Sequence, residues 1–215
     1  MDLLDRIRSV VLRFAGYLVP LVQSLPALGS WVGLMTLPFV TYSIVFFANL
    51  PESFVDVFAA FLAPFPILVL ERMLIIVGFL FLVYSAVYLR IKKKEGLVTS
   101  GPYRLIRHPQ YLGMILSTLG LTSWSVWILN NTRGIGFISS SQTIVVWLIE
   151  LFAYILLAFV EELFLSRKYG GLFIEYRRQV PFLIPLLKSD RKGLDVLVSI
   201  LIPPILLFAL INIQI

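Results

Sequence analysis

The chain contains no cysteine and a single histidine, His108. The first absence removes disulfides, a thiolate nucleophile and any cysteine-based metal site. The second removes a multi-histidine zinc centre. Charge is scarce as well: Asp, Glu, Lys and Arg supply 14% of the 215 residues, against 59% hydrophobic residues. A soluble domain of this length cannot hide that much apolar surface. Internal repeats and low-complexity linkers are absent, so the sequence reads as one membrane domain.

Five apolar runs approach the roughly 20 residues with which a helix crosses a bilayer. They cover 31–49, 73–89, 111–132, 142–160 and 196–215. The second extends outward over 67–70 across Glu71 and Arg72, and the fourth is broken only by Glu150. The fifth carries Pro203-Pro204, which predicts a kink or an irregular turn.

Sixteen of the eighteen Lys and Arg residues fall into three groups. Arg6, Arg8 and Arg13 precede the first run. Arg90, Lys92, Lys93, Lys94, Arg104 and Arg107 separate the second from the third. Arg167, Lys168, Arg177, Arg178, Lys188, Arg191 and Lys192 separate the fourth from the fifth. With five crossings all three groups lie on one side, which the positive-inside rule makes cytoplasmic. The formal charge of +6 is thus a signal of topology and lipid headgroups, with no nucleic-acid partner implied.

At the start of the chain, Asp2 and Asp5 accompany the arginines and no small-residue cleavage site follows a clean apolar run, so a cleavable signal is not expected. Leu3, Leu4, Ile7, Val10, Val11, Phe14 and Leu18 recur at helical spacing and predict an interfacial amphipathic helix. A sixth span over 9–28 would put the basic loops on opposite sides. Residues 51–66, bounded by Pro51, Pro64 and Pro66, predict a short interfacial helix or re-entrant segment. The expected fold is an all-α integral membrane protein of about five transmembrane helices with a cytoplasm-facing catalytic region. Residues 1–90 would hold the amphipathic helix and two spans, 91–193 a cofactor-binding region with a helical hairpin, and 194–215 a last span.

Polar chemistry gathers in two segments, "KKKEGLVTSGPYRLIRHPQYLG" at 92–113 and "EELFLSRKYGGLFIEYRRQVPFLIP" at 161–185. Each abuts the end of an apolar run, so the two can meet at one membrane face. Thr99 to Pro102 signal a turn, and Pro109 suits the first position of a helix. The free N–H groups of that helix start favour an anion. Tyr103, His108 and Tyr111 offer flat surfaces, and Arg104 and Arg107 add charge. A ligand carrying a carboxylate and an aromatic ring suits this place. An ordinary interfacial cluster of aromatics and arginines accounts for the same composition.

Glu161-Glu162 follow the fourth run, where two carboxylates need water or a cation. They form either a solvated helix end or a site for a cationic group or hydroxyls. Glu150 lies about 16 Å further into the membrane at 1.5 Å per residue, where it either pairs with Arg72 or lines a substrate path.

Taken together, "LVTSGPYRLIRHPQYLG" and "EELFLSRKYGGLFIEYRRQVPFLIP" resemble the isoprenylcysteine carboxyl methyltransferase family, part of a wider membrane group that includes phospholipid N-methyltransferases. The resemblance covers residues 90–186. RHPxYxG matches in full at Arg107 to Gly113, and the Glu pair, Tyr169-Gly170, Tyr176 and Val180-Pro181 follow in family order. It implies S-adenosylmethionine as cofactor, contacted by Glu95, Gly96, Leu97, Val98, Tyr103, His108, Pro109, Gln110, Tyr111 and Glu161. It implies catalytic roles for Arg107, Glu161 and Arg178, and an acceptor bound near Glu150, Tyr154 and Leu157. The implied acceptor is an amphiphilic lipid or prenylated molecule drawn from the membrane, and no metal is implied.

Three positions depart from the family pattern. Leu157 stands where prenylcysteine methyltransferases carry an arginine one turn before the glutamate. Gln179 replaces the usual arginine before Val-Pro, with Arg178 one residue earlier, and Phe182 replaces an arginine after it. The resemblance implies carboxyl O-methylation of a prenylcysteine-type acceptor first, with N-methylation of a phospholipid or other lipid as the alternative, and two readings of other kinds stay open at this point. One is an NADPH-dependent sterol or double-bond reductase, with Arg104, Arg107 or Arg177 on the 2′-phosphate. The other is a non-enzymatic assembly factor of the same architecture.

Overall fold

A computed structural model describes residues 31–48, 68–131, 138–185 and 194–213. Every long element is helical: α1 Trp31–Ala48, α2 Val69–Lys92, α3 Pro109–Asn131, α4 Ser140–Tyr169, α5 Gly171–Gln179 and α6 Leu194–Ile213, with two short 3-10 turns at Lys93–Glu95 and Gly101–Arg104. The amphipathic helix expected near the start, the alternative span over 9–28 and the segment 51–66 lie outside the described residues.

Among the described residues, four helices, α2, α3, α4 and α6, are long and apolar enough to cross a membrane, which makes this a multi-pass membrane protein. α1 is a shorter apolar helix. α2 carries Glu71 in its first turn and Arg90 and Lys92 in its last, each suited to the helix dipole at its end. α4 opens on a capping box, in which Ser139 Oγ accepts the Gln142 N–H and Gln142 Oε1 accepts the Ser139 N–H. α6 runs on through Pro203 and Pro204 where the sequence predicts irregular backbone.

α3 is the centre of the bundle. It is 78% buried over its apolar window, whereas α2 is only 11% buried and turns Ile76, Phe79, Leu80 and Val83 outward, as a lipid-facing helix does. α3 nevertheless buries Ser117, Thr118, Thr122 and Ser123. Hydroxyls at that depth must be satisfied inside the protein. Ser117, Thr118 and Thr122 donate to carbonyls one turn back, while Thr122 also pairs with Tyr42 Oη at 2.7 Å and Ser123 donates to Glu71 at 3.1 Å.

Gly113, which closes the RHPxYxG motif, lets α2 approach α3. A Cβ there would stand 2.8 Å from both the Gly78 carbonyl and the Leu82 nitrogen. The motif glycine is therefore a packing residue, and it fixes the helix that begins at the candidate site.

α4 departs most from the sequence expectation. Its apolar run predicts an end at 160, but the helix continues to Tyr169. Thirty residues span about 45 Å, which exceeds the roughly 30 Å hydrocarbon core. Glu161 and Glu162 thus lie inside the helix with about two turns beyond them, fixed in direction by the helix and not splayed at its end.

Candidate active site

Arg107 and His108 sit between the 3-10 turn Gly101–Arg104 and the first turn of α3. Gly101 takes a φ of +60°, and any Cβ there would meet the Tyr88 ring at 2.6 Å, so only glycine fits. The loop is then bound to the second motif. The Arg107 N–H donates to the Pro181 carbonyl at 3.0 Å, and Tyr176 Oη donates to the Tyr103 carbonyl at 2.6 Å.

The side chains continue this joining. Arg107 Nη1 lies 2.9 Å from Glu162 Oε1, and Nη2 lies 2.7 Å from Asp195 Oδ2 at the start of α6. His108 Nδ1 is 3.3 Å from Glu161 Oε2, and Nε2 is 3.3 Å from Glu162 Oε1. Arg177 Nε reaches Glu162 Oε2 at 3.6 Å. Phe182 walls the cluster: the Arg107 guanidinium lies over its ring at 5.4 Å and His108 meets it edge-on at 5.1 Å. The Phe182 departure thus replaces a cation by an apolar wall beside cations already supplied by Arg107 and Arg177.

Both His108 nitrogens face carboxylates, which only accept hydrogen bonds, so the ring satisfies both contacts only as an imidazolium. Burial is the largest influence on His108 and opposes its charge. Hydrogen bonds to Glu161 and Glu162, with their negative charge, together outweigh it and raise the pKa. For Arg107, burial pulls the pKa below the ordinary arginine value, opposed by Glu162 and Asp195. The Tyr103 hydroxyl is pushed well above the ordinary tyrosine value by burial, with Glu161 adding to it, and stays a neutral donor.

Tyr103, Arg107, His108, Pro109, Gln110, Tyr111 and Glu161 line one shallow, open cleft. Glu161 is the accessible acid of the pair, its side chain 26% exposed against 6% for Glu162. The cleft therefore offers a carboxylate for a cationic group, two tyrosines, and the N-terminus of α3 for an anionic one.

The other expected site residues lie elsewhere. Leu97 packs with the cluster of Phe173, Tyr176 and Val180, and Gly96, Leu97 and Val98 do not line the cleft, while the Glu95 side chain lies outside what the structure describes. Arg178 is exposed on α5, and it is Arg177 that meets Glu162. Leu157 packs against the main core. Tyr154 is fully buried, with its hydroxyl toward Met114 and the Met35 carbonyl. Glu150 is buried beside Tyr42, Thr118 and Tyr154, whereas the Arg72 guanidinium lies over the Trp124 ring, so the two do not form the pair the sequence allows. Sequence reading missed Glu162 as the shared anchor of Arg107 and His108, and missed Asp195 altogether. Asp195 opens an apolar helix with no motif around it, so only the fold brings it to the site.

The described residues thus form a multi-pass helical membrane bundle with a charged, aromatic cleft at one end of its central helix. A sequence profile described as phospholipid methyltransferase matches residues 61–171, just over half of the chain, and the chain belongs to that family. It is 33% identical over 94 residues to protein-S-isoprenylcysteine O-methyltransferase A of Arabidopsis thaliana, a match covering 44% of this chain and 42% of that protein. It is also 33% identical over 110 residues to the cobalt-zinc-cadmium resistance protein CzcN of Cupriavidus metallidurans, covering 50% of this chain and 44% of the relative. The matches thus span less than half the length of either relative. No solved structure matches the chain.

Proposed function

We propose that the protein is an S-adenosylmethionine-dependent membrane methyltransferase acting on an amphiphilic acceptor at the cytoplasmic face. The observation that carries this reading is the cleft in which Glu161 and the first turn of α3 face one another, lined by Tyr103 and Tyr111. Its donor set fits the cofactor: a carboxylate for the ammonium or sulfonium, helix N–H groups for the carboxylate, and aromatic rings for the base. When bound, S-adenosylmethionine supplies a methyl group already activated on sulfur. The residues here need only hold and orient the reactants and keep water out.

The acceptor is best read as a carboxylate of the prenylcysteine type, methylated on oxygen. A carboxylate is ionised at neutral pH and needs no base, while an amine must first lose a proton. His108, the one histidine, is held as an imidazolium by two carboxylates and is not available as that base. The side on which the basic groups cluster favours a cytoplasmic cleft, with α1 as a fifth crossing. The test is transfer of labelled methyl from S-adenosylmethionine into detergent-solubilised prenylcysteine analogues and phosphatidylethanolamine. Label in the carboxylate analogues supports the reading, and label only in the amine lipid would replace it by N-methylation.

A further inference from the structure

We propose that Asp195, on the helix beyond both motifs, is a positioning residue: it holds one edge of Arg107 so that Glu162 remains bound to His108 in the cleft. Arg107 is nearly fully buried and stands between two carboxylates, with Nη2 2.7 Å from Asp195 and Nη1 2.9 Å from Glu162. Asp195 divides its own oxygens in the same way, since Oδ1 accepts the Val196 N–H at 3.0 Å while Oδ2 takes Arg107. The start of α6 and the motif loop are therefore fixed to each other by one carboxylate.

Glu162 serves three cations at once: Arg107 at 2.9 Å, His108 at 3.3 Å and Arg177 at 3.6 Å. A carboxylate so shared goes preferentially to the strongest donor left uncompensated. Without Asp195, the buried guanidinium would have Glu162 as its only anionic partner among the described residues and would draw it from His108. His108 would keep Glu161 alone, and Glu161 is the acid that faces the cleft. The groups around His108 are Glu161 and Glu162 from α4, Arg107 from its own loop, Tyr111 from α3, Arg177 from α5 through Glu162, and Asp195 from α6 through Arg107. Loss of the Asp195 charge also makes this cluster more positive. Both effects disfavour the imidazolium.

The chain's single histidine makes the test direct, because histidine-selective ¹⁵N labelling of the full protein in micelles gives one imidazole to follow. In Asp195→Asn the titration midpoint of His108 should fall by about half a pH unit or more. Asp195→Ser removes the charge and leaves a smaller polar side chain, and should do the same if the Asn variant folds poorly. Asp195→Glu should hold the midpoint near that of the wild type. A midpoint unmoved in a folded Asn or Ser variant would overturn the proposal and leave Asp195 as a tether for α6. The consequence for the cofactor rests on the reading given under Proposed function and has its own measurement, S-adenosylhomocysteine affinity. It should drop about tenfold in Asp195→Asn and recover in Asp195→Glu. A moved midpoint with no such affinity in the wild type would support the positioning role and overturn the cofactor assignment.

Discussion

Tyr176 donates its hydroxyl proton to the backbone carbonyl of Tyr103 at 2.6 Å, across 73 residues of sequence. Both residues are buried, so the carbonyl has little access to water. Removal of the hydroxyl in Tyr176→Phe should therefore cost about 1–3 kcal/mol through the unsatisfied carbonyl. Thermal unfolding in detergent should show the loss, and an unchanged melting temperature would mean that the contact does not hold the two segments together.

The two adjacent glutamates should separate by function. Glu162 neutralises buried Arg107, and Glu162→Gln leaves that charge to Asp195, a change expected to cost about 3 kcal/mol. Glu161 is partly exposed in the cleft, so Glu161→Gln should leave the melting temperature within a degree or two while weakening cofactor binding. Equal destabilisation by the two substitutions would show that both are structural.

Stability should depend on pH through His108, whose folded pKa is raised above its unfolded value near 6.5. Such a group contributes stability that is fully present below the unfolded value and is lost as pH rises through the folded value. The melting temperature should fall on going from about pH 6 into the alkaline range, with a shallower slope in His108→Gln. Parallel profiles for the two proteins would remove His108 as the source.

The helix start at Pro109 and the meeting of the two polar segments at one face were legible in the sequence, because proline placement and the position of charge beside apolar runs report directly on helix ends. The end of α4 was not. Hydropathy stops at the first charged residue, whereas the helix continues for as long as its backbone bonds do, and those extra turns aim Glu161 and Glu162. The partners of Arg107 were equally hidden, since Glu162 and Asp195 lie 55 and 88 residues away and a carboxylate's neighbours depend on helix packing. The role of Gly113 was also hidden: the motif marks it, but only the close approach of Gly78 explains it.

Leu157, one turn before Glu161, packs against the core where prenylcysteine methyltransferases carry arginine. Leu157→Arg should raise turnover of carboxylate amphiphiles relative to uncharged ones, because a buried carboxylate needs a partner. If the substitution leaves this ratio unmoved in a folded variant that still binds cofactor, position 157 does not read the acceptor.

The central claim is that the cleft between Tyr103, Tyr111 and Glu161 binds S-adenosylmethionine. Calorimetric titration of the solubilised wild type and Glu161→Gln with S-adenosylhomocysteine, alongside NADPH, tests it most directly. Saturable binding of S-adenosylhomocysteine by the wild type, about tenfold weaker in Glu161→Gln, is expected, with no binding of NADPH. Equal affinity in both folded proteins, or binding of NADPH in place of S-adenosylhomocysteine, would contradict it.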